Sequence, residues 1–358
     1  MEKILVAMSG GVDSAVAALL LKQEGYDVSC AYMKTWMNEE GIDVFGDCPW
    51  HQDIEDAEKV CKHLGLDFEV VDFIKEYREQ IVEYLVEGYK NGQTPNPDVM
   101  CNRRMKFGKF LEYAKKNGFS KVATGHYCAI ADNKDSSKDL LMGLDPSKDQ
   151  SYFLAMITQE QLQSAMMPIG SLLKSQVREL ARLNRLPNAE KKDSQGICFL
   201  GKIKIQDFLE KHIGEKKGVI VNAENKAVGE HKGLHNYTLG QRKGIGVPSN
   251  SDFKSYVVVA KDYDTNILYV DFQDALNSKL YVDEILVKNP NWINKPIGKE
   301  CELLGRVRYR DDLVKIHYEP IENSFAKIKF AKTQRALARG QVLALHSENI
   351  VLGGAFFV

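Results

Sequence analysis

Six residues near the start of the chain, Ser9 to Ser14 with the sequence SGGVDS, combine residue types that bind phosphate. Glycines let backbone N–H groups approach phosphate oxygens, and serine hydroxyls add further donors. A Walker A loop would have a lysine after its glycines, and none follows here. Such a loop can hold the β- and γ-phosphates as one unit, which suits their release as pyrophosphate. We therefore expect a site that binds ATP and adenylates a second substrate, with Asp13 helping to bind Mg²⁺.

Two cysteines in polar segments are candidate nucleophiles. Cys101 lies three residues after Asp98 in the proline-containing sequence TPNPDVMCN, which predicts a loop between helices. Cys198 lies in DSQGICFLG, where Gly196 indicates a bend. A thiolate is reactive when it is accessible and in a favourable field, whereas a buried or idle thiol is the alternative for each residue.

The seven cysteines do not form a secreted disulfide framework, because their number is odd and they are spread through a long chain. Cys30 and Cys128 lie in apolar, strand-like segments and are expected to be core residues. A metal or iron–sulfur role ranks below a nucleophilic pair, since no CxxC motif exists, and we assign no metal site.

The first half of the chain alternates strands and helices, which predicts an α/β fold with a doubly wound parallel sheet. Ligands of such sheets bind at the carboxyl ends of the strands, where SGGVDS lies. The predicted elements are, in order, strand KILVAM, a helix over 14–24, strand DVSCAYM, a helix over 51–64, strand DFEVVDF, a helix over 104–116 and strand KVATGHY.

The second half is rich in glycine and short strands. We expect a first domain over 1–203, a small central α+β domain over 204–277 with a hairpin turning at Asp264 to Asn266, and a closed β-barrel over 278–358. Between Lys299 and Arg339 there are ten basic and six acidic residues, a local charge of +4 in a chain whose net charge is −1. This asymmetry suggests an anionic partner, although a solvated strand face would look the same.

Composition is that of a globular protein, with 44% hydrophobic and 27% charged residues. We expect no membrane contact and a cytoplasmic location, because no apolar run is long enough for a signal sequence or a membrane span.

Six motifs in this order resemble the tRNA-specific 2-thiouridylases of the MnmA/TrmU family, within the ATP pyrophosphatases that have a PP-loop and an adenine nucleotide alpha hydrolase-like fold. They are SGGVDSAVAALL, TPNPDVMCN, ATGHY, KDQSYFL, KDSQGICFLG and YTLGQRKGIG. The resemblance covers essentially the whole chain. It implies adenylation of the 2-carbonyl oxygen of a wobble uridine in tRNA, followed by replacement of that oxygen with sulfur.

The resemblance also implies roles for individual residues. Cys198 would carry a persulfide received from a sulfur-carrier or cysteine desulfurase relay. Cys101 would attack that persulfide to release sulfide, or resolve the reaction as a Cys101–Cys198 disulfide. Asp98 would be the acid/base beside the target base, in a pocket shaped by Asn96 and Pro97, although Asp98 could instead be a turn residue.

The implied binding residues form two sets. Those for ATP are Ala7, Met8, Ser9, Gly10, Gly11, Val12, Asp13, Ser14, Met33 and Gly125. Those for tRNA are His126, Lys148, Asp149, Gln150, Arg308, Tyr309 and Gln341, together with Asn96, Pro97 and Asp98 around the extruded base.

Two other functions are compatible with parts of the pattern. Another PP-loop enzyme could adenylate a small metabolite, but it would have no use for paired cysteines and a basic β domain. A tRNA-binding module without turnover is a second alternative, against which the intact SGGVDS and both cysteines argue.

Overall fold

The computed structural model describes residues 1–35, 49–193, 205–248, 255–272 and 280–358. Cys198 and the predicted domain boundaries at 203/204 and 277/278 lie outside these ranges. The strands of the described residues are β1 Lys3–Ala7, β2 Asp27–Lys34, β3 Asp67–Asp72, β4 Lys121–Ala123, β5 Cys128–Asp132, β6 Lys138–Met142, β7 Ala165–Met166, β8 Gly218–Val221, β9 Ala227–His231, β10 Tyr256–Asp262, β11 Ile267–Phe272, β12 Tyr281–Trp292, β13 Cys301–Arg306, β14 Val314–Ile321, β15 Phe325–Arg335, β16 Val342–Ser347 and β17 Ile350–Phe357.

The helices connect these strands mainly in the first half of the chain. The α-helices are α1 Val12–Gln23, α2 Pro49–Leu64, α3 Ile74–Tyr77, α4 Glu83–Lys90, α5 Pro97–Met100, α6 Phe110–Lys116, α7 Gln159–Gln163, α8 Lys174–Leu183 and α9 Ile205–Ile213. Arg78–Val82 and Cys101–Lys109 are π-helical, and Ser151–Leu154 and Leu234–Asn236 are 3₁₀ turns. In the described ranges, no helix combines the length and apolar character that a membrane span needs.

A five-stranded sheet with the order β3-β2-β1-β4-β7 is the centre of the first domain, and each of its pairings is parallel. Side chains alternate across it, so Leu5 joins the core on one face, while Ile4 and Val6 join the core on the other. Helices α1, α2 and α8 cover one face, and the segment from α3 to α6 covers the other. The predicted doubly wound α/β domain is confirmed.

The C-terminal strands close into a barrel. The order is β12-β15-β14-β13-β16-β17, and β12 also pairs with β17, so each of these six strands has two neighbours within the barrel. The predicted closed barrel is therefore confirmed. The β5–β6 hairpin of the first domain adds to the outside of β17, through Leu140 and Leu141 paired with Val351 and Ile350. This pairing attaches the barrel to the first domain.

The central domain contains a four-stranded sheet with the order β10-β11-β8-β9. Asp262 pairs with Ile267 across the β10–β11 hairpin, so the predicted turn at Asp264 to Asn266 is confirmed. Helix α9, which precedes this sheet, packs against α4 of the first domain, with Phe208 and Leu209 buried in that domain's core.

Helices α1 and α2 each begin two residues before their approximate predicted starts, at Val12 and at Pro49, so Asp13 and Ser14 lie in the first turn of α1. One prediction is wrong. Residues 97–109 are helical throughout, whereas the sequence predicted a loop up to 102 and a helix from 104. The reason is a local start signal: the Asn96 side chain accepts from the Val99 N–H (3.2 Å), and Pro97 occupies the first turn.

Candidate active site

The loop from Ser9 to Ser14 follows β1 directly and is organised by its own hydroxyls. The Ser14 Oγ accepts from the Ser9 N–H (3.2 Å) and donates to the Gly11 carbonyl (3.1 Å), and the Ser9 Oγ lies 3.2 Å from the Ser14 Oγ. Gly10 has a φ of +76°, and a Cβ there would lie 2.3 Å from the Asp53 carbonyl oxygen. A glycine is therefore required at this position.

Helix α1 begins inside this loop with Gly11 as its N-cap, and the cap makes no side-chain hydrogen bond. The first N–H groups of a helix have no partner within the helix, and the helix dipole makes this end favourable for an anion. The side chains of Met8 and Val12 are buried in the core, so these two residues present only backbone to a ligand. The geometry of residues Ser9 to Ser14, here named the phosphate loop, suits phosphate.

Gly125 follows β4 and packs against the start of α1. A Cβ at this residue would lie 2.6 Å from the Asp13 carbonyl carbon and 2.7 Å from the Ser14 nitrogen. The absence of a side chain thus permits close packing of two backbones at the phosphate loop. Met33 lies near the end of β2, opposite Val71 of β3, and is partly buried against the core. Ala7 ends β1 and is also partly buried.

The carboxylate of Asp13 has two partners that the sequence did not indicate. Tyr127 donates its hydroxyl to Asp13 Oδ1 (2.7 Å), and Lys174 Nζ lies 2.7 and 2.9 Å from the two carboxylate oxygens. Burial and the Asp13 charge raise the pKa of Tyr127, so its hydroxyl remains a donor. Lys174 is 161 residues from Asp13 and begins α8, and no spacing rule links the two.

Lys174 also belongs to a wider ion-pair cluster centred on Asp193. The Asp193 carboxylate lies 2.8 Å from Lys174 Nζ, 2.7 Å from Lys148 Nζ and 2.9 Å from Arg178 Nη2. Partial burial favours the neutral acid, but the bonds from Lys148 and Lys174 outweigh it and lower the pKa of Asp193 to about 2. Lys148, assigned to tRNA by resemblance, is thus placed beside the phosphate loop.

Cys101 begins the nine-residue π-helix that follows α5, and it is buried. The neighbouring Asn102 is also buried, and its side-chain nitrogen donates to the Phe153 carbonyl (3.2 Å), while its Oδ1 has no hydrogen-bond partner among the described residues. Pro97 is buried and Asp98 is partly exposed in the preceding turn. Single π-helical segments often occur at functional sites, where they re-aim side chains.

His126 links the phosphate loop to the Cys101 helix. It follows Gly125 on the segment after β4, and its ring lies 6.1 Å from that of Phe107 in the π-helix. Burial, followed by the charge of Lys106, holds the pKa of His126 well below its usual range. The ring is therefore neutral, and its Nδ1 lies 2.8 Å from the Thr124 hydroxyl.

The structure places Asp149 inside the protein and Gln150 in a partly buried position. The Asp149 carboxylate, 4% exposed, accepts from the Gly143 N–H, from Ser151 and from Arg306 of the barrel, whose Nη1 lies 2.6 Å away. Gln150 accepts from the Tyr127 N–H through its side-chain oxygen (3.1 Å). The hydrogen bond of Gln150 joins two segments of the first domain, and the ion pair of Asp149 joins that domain to the barrel.

Two of the barrel residues assigned to tRNA, Gln341 and Tyr309, contact segments near Cys101. Gln341 donates to the Thr94 carbonyl (2.7 Å), just before Asn96. The Tyr309 ring lies 4.4 Å from that of Phe153. Arg308 donates to the Arg335 and Ala336 carbonyls.

Among the described thiols, Cys30, Cys61 and Cys128 are buried, as predicted for Cys30 and Cys128, and Cys301 is partly exposed. The described parts of the site thus bring together the loop, Gly125, His126 and the Cys101 helix. The second cysteine, Cys198, is five residues after Asp193 in the sequence and lies outside the described residues.

Comparison with protein families gives three consecutive matches. Residues 2–202 match a model described as tRNA methyl transferase HUP domain, residues 206–271 a tRNA methyl transferase PRC-barrel domain, and residues 282–357 an aminomethyltransferase beta-barrel domain. The tRNA-specific 2-thiouridylase MnmA of Akkermansia muciniphila is 48% identical over 357 residues, covering 100% of this chain and 99% of that protein. This chain belongs to the tRNA-specific 2-thiouridylase family.

Other 2-thiouridylases extend over the same length. The MnmA protein of Bacillus cereus is 41% identical over 354 residues, covering 99% of this chain and 94% of its own. Among solved structures, a 4-thiouridine synthetase in complex with RNA and ATP is 14% identical with a TM-score of 0.34, covering 59% of this chain and 50% of its own.

Proposed function

We propose that this chain is a tRNA uridine 2-sulfurtransferase that uses ATP to replace the 2-oxygen of a wobble uridine with sulfur. The observation that carries the proposal is the placement of the phosphate loop and the Cys101 helix around one residue, His126, at the carboxyl ends of β1 and β4. Identity of 48% along the whole length of a protein named for this reaction supports it.

The first step would be adenylation of the uracil oxygen. The loop N–H groups and the Ser9 and Ser14 hydroxyls would bind the phosphates of ATP, and the α1 dipole would favour the leaving pyrophosphate. Attack of the 2-oxygen on the α-phosphorus breaks the bond to the β-phosphate, so that pyrophosphate leaves and AMP remains on the base. Mg²⁺, when bound by Asp13, would neutralise charge on the leaving group.

The second step would replace the activated oxygen. The outer sulfur of a Cys198 persulfide would attack C2, and AMP would leave with the former carbonyl oxygen. Attack of the Cys101 thiolate on the inner sulfur then gives a Cys101–Cys198 disulfide and the 2-thiouridine. In the alternative route Cys101 attacks the persulfide first, and the released sulfide attacks C2. Both routes leave a disulfide that an external thiol must reduce before another turnover.

Asp98 would serve as acid/base for the extruded uracil, in a pocket with Asn96 and Pro97. Its place in the turn before Cys101 and its partial exposure support this role. Lys148, Arg308, Tyr309 and Gln341 would contact tRNA. We also propose a sulfur relay protein as donor and a cytoplasmic location, where reduced thiols are maintained.

The test is reconstitution of the reaction. The protein is incubated with ATP, Mg²⁺, sulfide and unmodified tRNA, and the nucleosides are analysed by mass spectrometry for 2-thiouridine. Labelled adenylate should become linked to RNA when sulfide is omitted. Pyrophosphate release with a small metabolite and without tRNA would favour another PP-loop enzyme.

Cysteine variants separate the two steps. Cys198→Ser should abolish thiolation with a persulfide donor while tRNA binding stays near normal, and Cys301→Ser, which changes a partly exposed barrel thiol, is the matched control. Thiolation by Cys198→Ser at the wild-type rate would remove this residue from the mechanism.

Asp13→Asn should block adenylation, and unchanged pyrophosphate release would count against the role of the loop.

A further inference from the structure

The ammonium group of Lys174 lies at the mouth of the phosphate loop, where the sequence contains no lysine of its own. Its Nζ is 2.7 Å from Asp13 Oδ1 and 2.8 Å from Asp193 Oδ1. Asp13 is in the first turn of α1, so the ammonium lies beside the helix end that the loop presents to an anion. A lysine from a distant helix thus occupies the region that the loop lysine of a Walker A motif serves.

The position of this side chain is closely defined. Lys174 is the first residue of α8, and its backbone N–H donates to Asp145 Oδ2 (3.0 Å). The side chain is 11% exposed and its ammonium lies 5.7 Å from the centre of the Tyr127 ring. The aromatic ring and the two carboxylates therefore hold the ammonium without burying it completely.

The cations of the cluster can bind a further anion when one of the carboxylates withdraws. Lys148, Lys174 and Arg178 supply three cations, and Asp13, Asp145 and Asp193 supply three carboxylates. Apart from Asp145, which is 9% exposed, these side chains remain between 11% and 32% exposed, so a ligand can reach them. A triphosphate can displace the Asp13 carboxylate from Lys174, since the Asp193 carboxylate continues to hold the ammonium in place.

We propose that Lys174 binds the β- and γ-phosphates of ATP and the departing pyrophosphate, with Asp193 as its positioning residue. This inference rests on the proposed adenylation reaction. It assigns the Lys174 ammonium as a cation for the phosphates, which the loop sequence SGGVDS does not itself contain. Lys174 contributes through a charge-assisted hydrogen bond to phosphate, and makes no contact with the adenosine part of ATP. The contribution of Lys174 to binding affinity is therefore expected for ATP and pyrophosphate, and not for AMP, which has only the α-phosphate.

Calorimetric titration of the full-length protein with ATP, AMP and inorganic pyrophosphate, in Mg²⁺, tests this assignment. Lys174→Met should weaken binding of ATP and of pyrophosphate by about 10- to 100-fold, the loss expected for one charge-assisted hydrogen bond, and change AMP binding by less than about twofold. Lys138→Met is the matched control, because Lys138 makes a comparable ion pair with Asp132 (2.8 Å) in the β5–β6 hairpin and is 20% exposed. It should bind all three ligands as the wild type does.

Two results would overturn the inference. Equal weakening of AMP and ATP by Lys174→Met would mean that the lysine acts only by shaping the loop. Unchanged binding of ATP and pyrophosphate would mean that it does not touch the phosphates. If the wild-type protein binds none of the three ligands, the proposed nucleotide site itself fails, which distinguishes that outcome from failure of the Lys174 assignment alone.

Discussion

Gly125→Ala is the substitution whose consequence follows most directly from the packing at the phosphate loop. The added Cβ would lie 2.6 Å from the Asp13 carbonyl carbon and 2.7 Å from the Ser14 nitrogen, whereas ordinary contacts begin at 3.4 Å. Both atoms belong to the backbone of the first turn of α1, so no flexible side chain can move aside. The start of α1 and the segment after β4 must therefore separate by about 0.8 Å, the difference between 3.4 and 2.6 Å.

A displacement of this size has two measurable effects. Overpacking of a tight contact costs about 1–3 kcal/mol in the free energy of unfolding. For a domain of this size we expect Tm to fall by roughly 2–4 °C per kcal/mol. Shifts of about 1 Å at an active site can reduce activity about 100-fold, so adenylation should fall by a factor on that order.

The assay combines differential scanning fluorimetry with ATP titration and pyrophosphate release. Gly298→Ala is the matched control, because a Cβ at this exposed glycine would meet no atom of the described residues within 4 Å. It should melt and bind ATP as the wild type does. If Gly125→Ala matched the Gly298→Ala protein in Tm, ATP affinity and pyrophosphate release, Gly125 would not set the position of α1.

Three further substitutions test the barrel and its contacts. Arg306→Met leaves the buried Asp149 carboxylate without its ion pair (2.6 Å) and should cost about 3 kcal/mol in calorimetric unfolding; a loss below about 1 kcal/mol would contradict this. Burial lowers the pKa of His346 to about 4, so the unfolded chain takes up a proton before the native state does, and stability falls as the pH drops from 6.5 to 4. His346→Leu should flatten the dependence of Tm on pH in that range. An unchanged slope would mean that protonation of His346 does not cause this loss of stability. Tyr309→Leu removes the ring that packs at a tilt against Phe153 and should weaken tRNA binding about tenfold in filter assays, with ATP binding unchanged; weakened ATP binding would indicate a different role.

The strands and the phosphate loop could be predicted from the sequence because their signals are local. Apolar runs such as Ile4 to Val6 predict buried parallel strands, and the glycines between a strand and a helix predict the loop. The alternating strands of the second half predict a barrel, which the pairing of β12 with β17 closes. The six motifs identify the family, and 48% identity to a 2-thiouridylase over 357 residues confirms it.

The helical state of residues 97–102 was missed although its signal was present. Prolines indicated a loop, but Asn96 followed by Pro97 is also the usual start of a helix, since the Asn side chain caps and proline fits the first turn. Choosing between these interpretations required the hydrogen bond from the Val99 N–H to Asn96, which only the folded chain displays.

The sequence by itself determined the strands, the phosphate loop, the candidate cysteines and the family, because each depends on residues that are close together in the chain. The tertiary structure decided which charges meet: Lys174 with Asp13 across 161 residues, and Arg306 with Asp149 across 157. It also placed Asp149 in the interior and His126 between the loop and the Cys101 helix. Such pairs form when separate helices and strands pack on one another, and no local pattern of residue types specifies which side chains then come into contact.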